Sequence, residues 1–216
     1  MPVSESQPPR DPNMAFTEPP SIADAVGGPL GVAESALPSA AFVLTYTVSG
    51  QETRTALIVA VAVGAVFAVA RIARGKTVQF ALAGLGGLAL SAYVVSRTGR
   101  AEDFFLPGLL ANAVYALAYA ISILVRWPLL GVIVAALRGG DMGWRKDPLE
   151  LKAYSRASWV WVALFSLRLA VQLPLYLASA LTALGVARIA MGIPLFAVGI
   201  WLSWLILRPR HDAEAD

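Results

Sequence analysis

The sequence predicts an all-α fold: a polytopic transmembrane helix bundle with six spanning helices and one half-length re-entrant or interfacial segment. Three observations predict it. Apolar residues make up 57% of the 216 residues, above the ~45–50% of a soluble domain even before glycine joins the tally. Charged residues are 14% where about 25% is usual, and the mean hydropathy is +0.66. The apolar residues fall into stretches of about the length that crosses a ~30 Å hydrocarbon core. A chain of this size cannot hide so much apolar surface in one soluble core, so an ordinary soluble enzyme, a disordered chain and a disulfide scaffold are all excluded.

Residues 1–20 hold Glu5, Asp11, Glu18 and several prolines with no apolar stretch. They read as a disordered cytoplasmic tail without a signal peptide. Residues 21–207 form the transmembrane domain. Ser21 and Asp24 resemble a capping box for a short surface helix over Ile22 to Val26, ended by Gly27-Gly28. The spans follow: Pro29 to Val48, which carries Glu34 and Pro38; Thr55 to Ala70; Thr77 to Ser96; Phe104 to Val125; Ala157 to Ser179, with Arg168 inside it; and Ile189 to Leu207. Trp127 to Leu137 covers only ~16 Å as a helix, and Arg126 and Pro128 set it apart from the fourth span. Asp147-Pro148-Leu149-Glu150 is a helix start, with an acidic cap, proline in the first turn and an acidic residue behind it. Residues 208–216 are a short polar cytoplasmic tail. Small residues recur every four positions in the second span (Ala56, Ala60, Gly64, Ala68) and the third (Ala83, Gly87, Ser91, with Gly84-Leu85-Gly86-Gly87 dense among them). Such faces let helix backbones approach closely in lipid.

Orientation follows from the basic residues. With six spans and the N-terminus inside, twelve Lys and Arg lie on the cytoplasmic side and four, Arg54, Arg97, Arg100 and Arg188, on the other. This is the positive-inside pattern, so the chain is expected in the cytoplasmic (inner) membrane with both termini cytoplasmic. The net charge of +3 is therefore an orientation signal, and no nucleic-acid partner is expected.

Chemistry motifs are sparse. The chain has no cysteine and one histidine, His211 in the tail, so thiol catalysis, Cys-ligated metals and multi-His sites are excluded. No phosphate loop, nucleophile elbow or His-Glu metal motif is present, and neither a cofactor nor a metal is expected. Two polar lines stand out. Asn112, Tyr115, Tyr119, Ser122 and Arg126 share one face of the fourth span. Trp161, Arg168, Gln172, Tyr176 and Ser179 share one face of the fifth, each line within ~80° of arc. Polar side chains in a bilayer turn toward the bundle interior, so both lines are expected to face a common polar interior. Its candidates are Glu34, Asn112, Tyr115, Tyr119, Arg126, Arg168 and Gln172. An intramembrane Arg needs a partner; Glu34 with Arg126 and Glu34 with Arg168 are both open. The same residues could equally be a structural network.

Glu34-Ser-Ala-Leu-Pro38, Ala73-Arg-Gly-Lys76, Asp103-Phe-Phe-Leu-Pro107, Arg126-Trp-Pro128 and Trp159-Val-Trp161 with Arg168 resemble an actinobacterial membrane family catalogued as domain of unknown function 3159. That family is similar to the intracellular septation protein A inner-membrane proteins. The resemblance covers roughly residues 25 to 208. It implies a cytoplasmic-membrane protein connected with envelope maintenance or cell division, and no established activity or catalytic residue.

Two functions of different class are expected. The first is a non-enzymatic scaffold, with the Arg126 to Arg156 loop and its Trp144 as a cytoplasmic handle. Its partners would be the lipid bilayer, envelope or division membrane proteins and a second copy of the chain. The alternative is a small transporter or channel using the polar interior between the fourth and fifth spans. A lipid-active enzyme ranks last, because acid–base groups are scarce near mid-membrane.

Overall fold

In the computed structural model, the described backbone covers residues 28–73, 78–137, 140 and 142–208, and the described side chains cover 36–70, 72–73, 84–137, 140 and 142–208. The 1–20 tail, the capping box at Ser21, the side chain of Glu34 and the tail from residue 209 lie outside them. Among the described residues every regular element is a helix.

Three helices of 21 residues open the fold: α1 (Gly28–Val48), α2 (Thr53–Ala73) and α3 (Val78–Thr98). A turn with Gly50 and Gln51 both at positive φ (71° and 72°) reverses the chain between α1 and α2. The small-residue stripe of α2 is a packing face. Ala56 and Ala60 are fully buried, and a Cβ on Gly64 would collide with Leu88 of α3. The third span corrects the expectation for its glycines. Gly84, Gly86 and Gly87 meet nothing within 4 Å; they lie on the outer surface of the bundle, and only Ser91 of that row is buried among the described residues.

Gly99, at φ 71°, leads into a 3-10 turn over Ala101–Phe105, which runs directly into α4 (Leu106–Leu124) with Pro107 in its first turn. Phe104 stacks on Phe42 of α1 at 4.1 Å between centroids, and these rings with Phe105 and Leu184 centre one core. α4 ends where Arg126 takes the left-handed conformation (φ 59°), with the Trp127 amide donating to the Ser122 carbonyl at 2.8 Å. This end motif satisfies the last carbonyls and separates the next helix from α4, so Trp127 to Leu137 does not continue it.

That next helix, α5 (Leu129–Leu137), has nine residues, too few to cross a ~30 Å core at ~1.5 Å each. Its first amides are capped from elsewhere: Leu129 donates to the Ser122 hydroxyl at 3.0 Å and Leu130 to the Ser158 hydroxyl at 3.4 Å. A 3-10 turn at Gly143–Arg145 brings Trp144 over Gly131, where a Cβ would sit 2.8 Å from the ring.

α6 (Pro148–Leu177) starts where the sequence places a start, with the Asp147 side chain accepting from the Leu149 amide at 2.8 Å. It has 30 residues and runs through Pro174 to a left-handed Ser179 (φ 52°). α4 and α6 pack together along their length, and Tyr119, Trp161, Phe165 and Leu164 form a second core between them and the last helix.

The last span is corrected. It begins at Leu181 and is broken into α7 (Leu181–Ala190) and α8 (Ile193–Leu207) at Met191-Gly192. Pro194 supplies the reason. It has no N–H, and its ring would clash with the carbonyl four residues back, so α8 begins afresh with Pro194 in its first turn.

Four helical stretches among the described residues are long and apolar enough to cross a membrane: Thr53–Ala70, Ala101–Leu124, Pro148–Leu177 and Leu181–Leu207. The expected count of six spans plus a re-entrant segment is not reached on these criteria. The described apolar part of α1, Ala36–Val48, is too short for them. Large apolar side chains such as Leu44, Val66, Leu117 and Leu124 point outward, as a lipid-facing surface requires.

Candidate functional site

The 3.6-residue repeat puts Asn112 and Tyr115 on one face of α4 and Arg168 and Gln172 on one face of α6. Because α4 and α6 lie side by side, these four residues meet in a cavity of about 260 Å³. Ala36 and Ser39 of α1, Gly108 and Ala111 of α4, Arg188 and Ile189 of α7, and Gly192 and Ile193 at the helix break complete its wall. The cavity therefore opens where the last span loses its helical hydrogen bonds.

Arg168 holds that break. Its Nη2 donates to the Gly192 carbonyl at 2.6 Å and to the Met191 carbonyl. The break leaves the Met191 carbonyl without a helical donor, while the Gly192 carbonyl also accepts from the Phe196 amide of α8 at 3.2 Å. Its Nε is buried and has no hydrogen-bond partner among the described residues. The described partners of Arg168 are thus backbone carbonyls, and the Glu34 carboxylate expected beside Arg168 or Arg126 lies outside the described side chains.

Arg188 lines the cavity and is absent from the candidates the sequence offers. It was expected in an outer loop; instead it sits inside α7 and faces the cavity. Its guanidinium lies 5.4 Å from the centre of the Phe105 ring and occupies space that a Cβ on Gly108 would fill. The signal that could have found it is the apolar run Leu181 to Ala187, which extends the last span backward past Arg188. Among the described residues the one ion pair is Arg100–Glu102 at 2.8 Å, so neither cavity arginine has a described carboxylate beside it. Asn112 donates to the Gly108 carbonyl at 3.0 Å, within its own helix.

The other candidates lie elsewhere. Tyr119 is 7% exposed and stacks on Trp161 at 6.1 Å, inside the second core. Trp161 donates through its indole to the Ser203 hydroxyl at 3.0 Å, tying α6 to α8. Arg126 is exposed at the left-handed end of α4 and does not line the cavity. The outer members of the α6 line form a separate latch: the Tyr176 hydroxyl donates to Asp103 at 2.6 Å and the Ser179 hydroxyl to Glu102 at 2.8 Å. At that end the Glu102 carboxylate, bonded to Arg100 at 2.9 Å, raises the affinity of the Arg100 guanidinium for its proton.

Among the described residues no group of three or more His, Cys, Asp or Glu is placed to hold a metal ion. The cavity offers guanidinium, amide, phenol and hydroxyl groups, a set that binds by hydrogen bonding and charge.

The family described as "Protein of unknown function (DUF3159)" matches residues 26–214, and the chain belongs to it. No curated protein and no solved structure matches the chain.

Proposed function

From membership of a family without known function and from a cationic cavity beside a broken helix, we propose that this membrane protein admits a small polar solute into its bundle and carries it across the membrane. The observation that carries this reading is the cavity itself, with Asn112, Tyr115, Arg168, Gln172 and Arg188 converging on the break at Met191-Gly192. Non-helical backbone at membrane depth is tolerated where it lines a cavity, and interrupted helices are where membrane carriers build solute sites. At about 260 Å³ the space falls below the ~300–1,000 Å³ typical of drug-sized ligands and suits a small solute. The reading is non-enzymatic: it asks the lining only to bind, through its guanidinium, amide, phenol and hydroxyl groups.

The proposal includes six crossings in the inner membrane. α1 and α3 are each 21 residues, or about 32 Å, so their length supports adding them to the four stretches above. α5 then lies at the cytoplasmic side. With Arg188 moved into the bundle, the Lys and Arg bias becomes twelve to three, which supports cytoplasmic termini.

A scaffold role in envelope maintenance or division would rest on the resemblance of the sequence motifs to an actinobacterial family similar to septation protein A-type proteins. Its handle would be the loop containing Trp144, yet Trp144 is 7% exposed and packs against Tyr154 and Gly131. The carrier reading therefore has the better geometric support.

The test is reconstitution into liposomes with a panel of anionic, cationic and neutral small solutes. Uptake above protein-free vesicles is expected for at least one solute, and Ala111→Trp, which fills the cavity, should abolish it. No flux of any solute, or equal flux through the Ala111→Trp protein, would defeat the reading.

A further inference from the structure

We infer that the cavity takes an anion, and specifically a small oxyanion such as a carboxylate or phosphate, bound by Arg188 with Arg168 beside it; the inference rests on the solute-binding reading above.

The two arginines have different tasks. Arg168 is committed to the Gly192 and Met191 carbonyls, so it cancels the carbonyl dipoles that would otherwise repel an anion at the break. Arg188 faces the cavity without a described acidic neighbour. It packs under the Phe105 ring, and Gly108 gives it the room to do so. Both arginines line the same cavity of about 260 Å³. Among the described residues no carboxylate pairs with either of them, and an anionic ligand between them would offset the two positive charges and gain binding energy in doing so. A cation is disfavoured on the same grounds, because two like charges already line the wall.

The donor geometry selects oxyanions over halides. A guanidinium presents parallel N–H groups in a planar fork that matches two oxygens. The Tyr115 hydroxyl and the Gln172 amide line the same cavity and supply further donors. α8 has 15 residues, and its N-terminal end at Gly192 and Ile193 adds positive potential on that side.

The natural chain has no cysteine, so an Ala111→Cys variant carries a single thiol in the cavity wall. Full-length protein in nanodiscs is labelled with neutral, sulfonate-bearing and trimethylammonium-bearing methanethiosulfonates, each rate divided by that for a free thiol. The anionic reagent should label about tenfold faster than the cationic one, the scale on which a charged cleft concentrates counter-ions. Arg188→Gln should remove most of that preference and Arg188→Lys should retain it. Phosphate or acetate should slow labelling by the neutral reagent where chloride at equal ionic strength does not. Labelling by no reagent overturns the solute-cavity reading. Neutral labelling with no preference for the anionic reagent, or with protection by neither oxyanion, overturns the anion inference and leaves the cavity reading standing. If Arg188→Gln does not fold, charge preference and oxyanion protection in the Ala111→Cys background decide.

Discussion

Arg168 reaches from α6 to the Gly192 carbonyl, 2.6 Å away, and so bonds to the point at which the last span breaks. A guanidinium and an interrupted helix at membrane depth are each unfavourable alone. Together they satisfy one another, and the cavity lies between them.

The first prediction follows from this pairing. Arg168→Leu leaves the Met191 carbonyl without a donor and the Gly192 carbonyl with the Phe196 amide alone, and an unsatisfied buried group costs about 1–3 kcal/mol. The melting temperature in detergent should fall by several degrees. Arg168→Lys should recover only part of it, since one ammonium cannot copy the fork. An unchanged melting temperature for Arg168→Leu would show that the break is held by other contacts.

The second concerns Gly108 and Arg188. A methyl at position 108 meets the far end of the Arg188 side chain, which can shift but loses its place against the Phe105 ring, so the cost falls at or below the low end of the ~1–3 kcal/mol of core overpacking. Gly108→Ala should therefore change the stability of the natural protein little. In an Arg188→Ala background the clash is gone, and Ala gains up to ~1 kcal/mol of helix propensity over Gly, so the same substitution should stabilise. A double-mutant cycle by thermal unfolding measures this coupling; additivity would place Arg188 away from Gly108.

The third tests the outer latch. Asp103 is 3% exposed and accepts from the Tyr176 hydroxyl at 2.6 Å. Tyr176→Phe should cost about 1–3 kcal/mol while leaving oxyanion protection at Ala111→Cys intact. Lost protection with unchanged stability would tie the latch to the cavity.

The fourth separates Arg126 from the site. Arg126 holds a left-handed conformation that costs a non-glycine residue about 1–2 kcal/mol. Arg126→Gly should be neutral or stabilising by thermal unfolding and should leave solute flux unchanged. A loss of flux would return Arg126 to the list of functional residues.

Much of this arrangement is legible in residues that obey a local rule. Asp147 and Pro148 mark the start of α6 through cap chemistry. Asn112, Tyr115, Arg168 and Gln172 share a cavity because helical periodicity alone puts each pair on one face. Arg126 and Ser179 show the limit of the same rule: they continue the periodic lines, yet their backbone is the left-handed end of a helix, where periodicity no longer describes direction. Arg188 reads as interfacial because Ile189 to Leu207 is already long enough to cross a bilayer, and a cation flanking such a run reads as lying outside it. Gly84, Gly86 and Gly87 face outward because small residues mark a close-packed face only where a neighbour is present. Gly108 gains meaning only once Arg188 is seen against it.

The last prediction decides between four and six crossings. If only the four stretches that meet the length and composition criteria cross, and the N-terminus is cytoplasmic, then α1 stays inside and the turn at Gln51 is cytoplasmic. If α1 and α3 also cross, Gln51 is outside. Lys146, between α5 and α6, is inside in both arrangements, so it serves as the control. Both residues are exposed, and the absence of natural cysteine makes Gln51→Cys and Lys146→Cys single-thiol proteins. With an impermeant thiol reagent on intact cells, Gln51→Cys should label directly and Lys146→Cys only after lysis. Bilayer thickness favours this result. α1 at 21 residues spans about 32 Å, and its exposed Leu44 and Val48 are better accommodated by lipid than by water. Protection of Gln51→Cys until lysis would remove α1 and α3 from the membrane and leave four crossings, with Ser39 reaching the cavity from a helix at the surface.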